Sequence, residues 1–300
     1  MFCEPIAVKF AFIDDERLNH RVATLCRVVE VSKAGFYDWC ARVQKPCVDA
    51  LRLETAARAA HARGQQTYGP KRLRTELQEV GYVMSLGRVK RLRKRLGLGC
   101  KQSRKYKATT DSAHRLAISP HLLDRQCATQ TGPGQVWVAD ITYSATGEGW
   151  LYLAAIKDLF TCKIVGWAMA EHMRAELVCK ALAMAVKTHK PGAGLLLHSD
   201  RGSQYASAQY RVLIQQFEMT QSMSRKGNCW DNAPMESWFA SLKKEQVHLE
   251  HYPTRALATL AIMEYIEVFY NRIRRHSKIN NPSPINFEQQ WNEEQSNKAA

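Results

Sequence analysis

Val136-Trp137-Val138-Ala139-Asp140-Ile141-Thr142 is followed by Leu151-Tyr152-Leu153-Ala154-Ala155-Ile156-Lys157 and by Lys163-Ile164-Val165-Gly166-Trp167-Ala168-Met169, three strand-sized apolar runs in close succession. Gly147-Glu148-Gly149 and the stretch Asp158 to Thr161 separate them, as turns between neighbouring strands require. Downstream, an Ala- and Leu-rich helix is expected over Arg174 to Thr188. Pro191-Gly192 then turns the chain into a buried strand, Leu195 to His198. A second helix is expected near Ser207 to Phe217, and a third carries Glu236. A meander of three strands followed by alternating helix and strand predicts an α/β fold, a mixed sheet with helices on both faces.

That element order matches a ribonuclease-H-like core, and it delivers three acids. Asp140 is expected at the end of the first strand, Asp200 at the end of the fourth, and Glu236 on a helix whose start is marked by Pro234. If the first and fourth strands are neighbours, their tips lie side by side. Clustered carboxylate oxygens suit hard divalent cations, and a pair of such ions can promote in-line displacement at a phosphodiester without a covalent enzyme intermediate. A lone Asp at a strand end is more often a turn former or helix cap, and Asp158 and Asp231 are read that way. Three acids alone are a weak signal; their joint placement and flanking sequence give them weight.

Outward from the core, the charge is uneven. The 300-residue chain has a formal net charge of +15 and 45% hydrophobic residues, enough for a buried core and suited to a polyanionic partner. Between Arg63 and Lys107, fourteen Lys or Arg stand against two Glu. This segment reads as helix, turn, helix. Pro70 opens a helix with apolar Leu73, Leu77 and Val80, and Gly81 closes it. Ser85 caps the next helix, which buries Val89, Leu92 and Leu96 and stops at Gly97. Arg88, Lys90, Arg91, Arg93, Lys94 and Arg95 are expected to point outward with no acid at i+4. A solvated amphipathic face is the plain alternative; phosphate contact is favoured, with Lys71, Arg72, Arg74, Arg88, Arg91, Lys94 and Arg95 as candidate DNA-binding residues. Before this, Leu18, Val22, Leu25 and Val29 fall at helical spacing, and Ser32 can cap a short helix carrying Phe36 and Trp39. That unit is either a helix-turn-helix or a plain helical hairpin used in packing or assembly.

Other classes recede. The longest obvious apolar run, Trp150 to Ile156, is strand-sized, and the N-terminus lacks the order of a signal peptide, so a cytosolic protein with no membrane partner is expected. Nine scattered cysteines with no CxxC pair read as free thiols. His248 and His251 have zinc-like spacing without a cysteine pair nearby.

Three strings then carry a family resemblance: Trp137-Val138-Ala139-Asp140-Ile141-Thr142-Tyr143, His198-Ser199-Asp200-Arg201-Gly202-Ser203-Gln204-Tyr205 and Asp231-Asn232-Ala233-Pro234-Met235-Glu236-Ser237. They resemble the retroviral-integrase-like catalytic core of bacterial insertion-sequence transposases. More narrowly, the chain resembles the second-reading-frame product of the insertion sequence three family. The likeness extends to Leu25 to Val28, Val31 to Tyr37, Tyr68-Gly69, and Tyr270-Asn271 through His276. The resemblance implies that Asp140, Asp200 and Glu236, with 35 residues between the last two, form a metal-binding catalytic triad using Mg²⁺, with Mn²⁺ as a substitute. It also implies a basic residue seven positions after the glutamate. Here that is Lys243, nearly two helical turns on and placed to meet DNA phosphate beside the site, whereas Lys244 is expected in solvent.

The reaction implied is cleavage at a transposon end followed by strand transfer. Implied partners are double-stranded DNA, as terminal repeats and target, a homo-oligomer assembled on that DNA, and a frameshift fusion to an upstream product. A nucleoid-associated bacterial location follows. An integrase or nuclease of the same fold, or a non-catalytic DNA-binding regulator, are the alternatives. An integrase of retroviral type would carry a His/Cys zinc module, and a regulator would have lost one of the acids. The expected organisation is an N-terminal helical segment over 1–50, a basic helix-turn-helix domain over 51–108, a linker over 109–134, the catalytic core over 135–250 and a helical extension over 251–300. Trp230 and Trp238 are read as packing residues rather than base-stacking platforms.

Overall fold

The computed structural model describes residues 4–44, 48–101, 119, 120, 122, 130–225 and 232–299. Trp230, Asp231 and most of the expected linker lie outside the described residues.

The central sheet has five strands in the order β3-β2-β1-β4-β5. β1 (Val136–Thr146), β2 (Gly149–Asp158) and β3 (Ile164–Ala170) form the antiparallel meander, while β4 (Leu196–Ser199) and β5 (Thr220–Met223) run parallel to β1. Between them come α7 (Ala175–His189) and α8 (Ala208–Gln216), and after β5 comes α9 (Ala233–Glu245). Alternation along β1 assigns the faces. Trp137 and Ala139 join the core under α7 and α8, while Val138 joins a second core with Met235, Trp238 and Leu242 of α9. Helices therefore cover both faces. At Gly166 of β3 an added Cβ would lie 2.4 Å from the Ala181 carbonyl oxygen, so α7 sits as close to the sheet as it does because that position has no side chain.

The segment after residue 250 belongs to the same core. Ala258 and Ile262 of α10 (Arg255–Glu264), together with Tyr265, Ile266, Phe269 and Tyr270 of the π-helical stretch that follows it, pack on the α9 face of the sheet. α11 (Pro284–Ala299) closes the chain.

Two helical units precede the sheet. The first comprises α1 (Ile6–Glu16), α2 (Val22–Val28) and α3 (Lys33–Gln44), packed around Ile13, Leu25, Val29 and Phe36. The expected periodicity over Leu18 does not hold: Leu18 falls in the turn between α1 and α2 and is 91% exposed. Ser32 does cap α3, accepting from Gly35 N at 3.0 Å.

The second unit comprises α4 (Val48–Arg63), α5 (Pro70–Glu79) and α6 (Leu86–Arg95). Leu73, Leu77, Val89 and Leu92 meet Ala57 and Ala60 of α4 in its core. Gly81 and Gly97 both take positive φ, ending α5 and α6 as their positions suggest. Val80 departs from expectation: α5 stops at Glu79, which leaves Val80 exposed.

Candidate active site

The pairing of β1 with β4 brings two carboxylates together. Ala139 is opposite Ser199, the last pair in that parallel ladder, so Asp140 and Asp200 are each one residue beyond it. Asp140 does not end its strand. β1 continues to Thr146 because residues 140–146 remain paired with β2 after β4 has stopped. The tips still meet, at the point where β4 leaves β1. Asp140 Oδ1 accepts from Ile141 N at 2.8 Å, and Asp200 Oδ1 accepts from Gly202 N at 2.9 Å. Burial, then the facing Asp200 carboxylate, raises the Asp140 carboxyl well above its ordinary range, with Glu236 adding in the same direction.

Glu236 comes from the first turn of α9, on the sheet face that Asp140 shares. It is exposed, and among the described residues no three His, Cys, Asp or Glu side chains are already close enough together to hold a metal ion. Asp140 and Asp200 are thus paired, with Glu236 within electrostatic reach but not converged on them. The pair is compatible with Mg²⁺, which is held typically by one or two carboxylates together with substrate phosphate.

Lys243 occupies the same side of α9 as Glu236. It is buried, with Nζ 5.1 Å above the Tyr143 ring, and burial lowers its pKa while the Asp140 charge opposes that shift. Lys244 is exposed.

Two residues that the sequence did not mark hold α9 in place. Asn232, at the start of the helix, makes no side-chain cap; its Nδ2 instead donates to the Ala139 carbonyl at 3.2 Å, one residue from Asp140. Lys157 of β2 is buried and its Nζ donates to the Pro234 carbonyl at 3.3 Å, two residues before Glu236. Burial lowers the Lys157 ammonium to about 8. A lysine inside an apolar run was the available signal, since a buried ammonium needs a specific partner. His198 is fully buried on the other side of Asp200, between the hydroxyls of Ser222 and Ser224 at 2.9 and 3.2 Å. Tyr205 is also buried and close enough to Asp140 and Asp200 for their charges to act on it; its hydroxyl has no hydrogen-bond partner among the described residues.

Asp158 acts as a turn residue, accepting from Gly134 N, Thr161 N and Thr161 Oγ1. Trp238 is 2% exposed in the core beneath α9.

In the basic unit, Lys71, Arg74, Arg88, Lys90, Arg91 and Lys94 are exposed. Arg95 is exposed but paired with Glu54 of α4 at 2.8 Å, so one of the six cations on α6 does have an acidic neighbour. Two arginines are placed differently from the rest. Arg93 does not point outward: it is half-buried, with Nη2 3.2 Å from Cys100 Sγ. Arg72 is half-buried over the Tyr68 ring at 5.9 Å.

Comparison with known proteins finds family models and close relatives. Two integrase core domain models match residues 130–229 and 236–291, and an HTH-like domain model matches residues 49–106. A 31 kDa protein of insertion element IS600 from Shigella sonnei is 50% identical over 90% of this chain and 99% of its own length. The transposase InsF for insertion sequence IS3A of Escherichia coli (strain K12) is 39% identical over 94% of this chain and 98% of its own. Among solved structures, the HTLV-2 integrase catalytic core domain in complex with magnesium is 12% identical, covering 53% of this chain and 98% of that one at a TM-score of 0.43.

Proposed function

The chain belongs to the insertion-element transposase family that includes InsF of insertion sequence IS3, and from that premise we propose that it cuts DNA at the ends of its element and joins them to target DNA. It is a polynucleotidyl transferase. The observation that carries the residue assignment is the β1–β4 register, which puts Asp140 beside Asp200 where the ladder ends, with Glu236 in the first turn of the helix covering that sheet face.

Asp140, Asp200 and Glu236 are the catalytic acids and the metal ligands. The donor set is hard oxygen, and a buried carboxyl whose proton affinity a neighbouring carboxylate raises further is the kind of site a divalent cation relieves. Bound Mg²⁺, or Mn²⁺ in its place, supplies activation of the attacking oxygen and stabilisation of the leaving one. The chain's own groups do the rest. Asp140 and Asp200 fix the position of the scissile phosphate, and Glu236 closes on them as DNA arrives. Lys243 offers a cation beside the backbone. Lys71, Arg74, Arg88, Arg91, Lys94 and Arg95 hold phosphates farther along the duplex, where each contact releases counterions. Arg72 contributes through the packing it makes. A homo-oligomer on paired DNA ends and a frameshift fusion with an upstream-frame product complete the proposal.

The test is incubation of the protein with an end-labelled duplex carrying the terminal sequence of its element. Nicked and joined products are expected with Mg²⁺ and none with chelator. Failure to nick at any metal concentration contradicts the reading.

A further inference from the structure

Arg274 and Arg275 are adjacent in sequence and engage two different bodies. Arg274 is 4% exposed and grips Glu245 at the C-terminal end of α9 with both ends of its guanidinium, Nε to Oε2 at 2.7 Å and Nη2 to Oε1 at 2.6 Å. Tyr265 Oη donates to the same carboxylate at 2.8 Å. Arg275 is 7% exposed and faces the opposite way, into α5 of the basic unit. Its Nε donates to Glu76 at 2.6 Å and its Nη2 to Glu79. Tyr68, fully buried just before α5, completes the seam: its hydroxyl donates to the Ile273 carbonyl at 3.0 Å and accepts from Arg275 N at 3.1 Å.

The helix that Arg274 grips also carries the catalytic glutamate. Glu236 and Glu245 are nine residues apart on α9, about 14 Å along a helix rising ~1.5 Å per residue. Fork-shaped guanidinium contacts of this kind fix orientation as well as distance, and breaking one leaves a buried charge uncompensated. Two facts argue against a seam that serves packing alone. The two acids of α5 between Pro70 and Glu79 both take their short contacts from Arg275, although the segment around them is strongly basic and Arg63 lies 3.9 Å from Glu76. Arg72 is drawn to the same seam, near Arg274 and Glu245, while Lys71 and Arg74 stay exposed.

We propose that Arg274 and Arg275 form a two-sided staple that sets the register between DNA held by the basic unit and the carboxylates that cut it. They are positioning residues, and they act by fixing where along the duplex the scissile phosphate falls. This rests on the function proposed above, in which the unit holds phosphates and the acids cleave.

The experiment uses the full-length chain, the end-labelled duplex of its element and Mg²⁺, with nick positions read at single-nucleotide resolution and duplex affinity measured in parallel. The unaltered chain is expected to nick at one position. Arg275→Gln is expected to replace that position with a ladder of neighbouring ones at unchanged affinity, and Arg275→Lys to restore much of the single position. Because a buried arginine can matter for folding, the Glu76→Gln/Glu79→Gln pair tests the other half of the contact and is expected to give the same ladder. A sharp single position in both variants, or lower yield at that unchanged position, overturns the staple. If the unaltered chain makes no nick, the function itself is contradicted and the staple falls with it.

Discussion

The sheet and the basic helical unit hold their charged side chains in opposite ways. In the sheet and its covering helix, Lys157, Asp158 and Lys243 are each less than a tenth exposed, and each is held against specific groups of the fold. Lys157 holds the start of α9, Asp158 closes a turn, and Lys243 faces Asp140. On α6, Arg88, Lys90, Arg91 and Lys94 are in solvent. A buried charge is costly to strand, so its loss is felt singly. Exposed cations act through a summed field that salt screens, so their effects accumulate gradually.

Replacing Trp238 tests the sheet side most severely. Trp238→Ala should destabilise the fold by about 3–5 kcal/mol, read from denaturant unfolding, because it empties a packed site beneath α9. A near-neutral result accompanied by lost DNA affinity would make Trp238 a stacking platform instead. Lys157→Met separates position from stability. The methionine fills the space, so the melting temperature should hold or rise, while freeing Pro234 should cut the cleavage rate by about ten- to a hundredfold. Unchanged cleavage would show that Lys157 does not position the helix.

On the other side of the comparison, neutralising Arg91 and Lys94 together should lower the slope of log affinity against log salt by about two, with the chemical step on bound DNA retained. An unchanged slope would remove α6 from the DNA. The smallest effect concerns His276. Burial first, then Lys157, Arg274, Arg72 and Lys278, lowers its pKa to about 3 from an ordinary 6.5. The folded state therefore holds it neutral while the unfolded chain takes up a proton, so stability falls as pH drops below about 6.5 and continues to fall toward 3. Urea unfolding at pH 5 and 7.5 should show this loss, and His276→Gln should reduce it.

What is legible in the sequence follows from range. Strands β1 to β4 and helices α5 to α9 announce themselves through local periodicity and turn residues, and the three acids through their flanking strings. β5 does not: Thr220-Gln221-Ser222-Met223 has little β character of its own and becomes a strand by pairing with β4. α1 and α4 escape sequence reading because neither presents a clear apolar stripe; α4 buries mainly small alanines. β1 reads as ending at Thr142 because its continuation is set by pairing with β2. Arg275 and Glu76 lie 199 residues apart, and nothing local in either segment signals the other. The approach of Asp140 to Asp200 can be inferred only because strand adjacency places both at one edge. The distance still open at Glu236 depends on side-chain placement, which periodicity does not encode.

Strand cleavage by the full-length chain carrying Asp140→Asn, Asp200→Asn or Glu236→Gln, measured beside duplex affinity at saturating Mg²⁺, bears most directly on the claim that these acids do the cutting. Each variant should bind the duplex as the unaltered chain does and yield neither nicked nor joined product. Cleavage at the unaltered rate by any one of them would contradict the assignment of that residue and the shared site built on it.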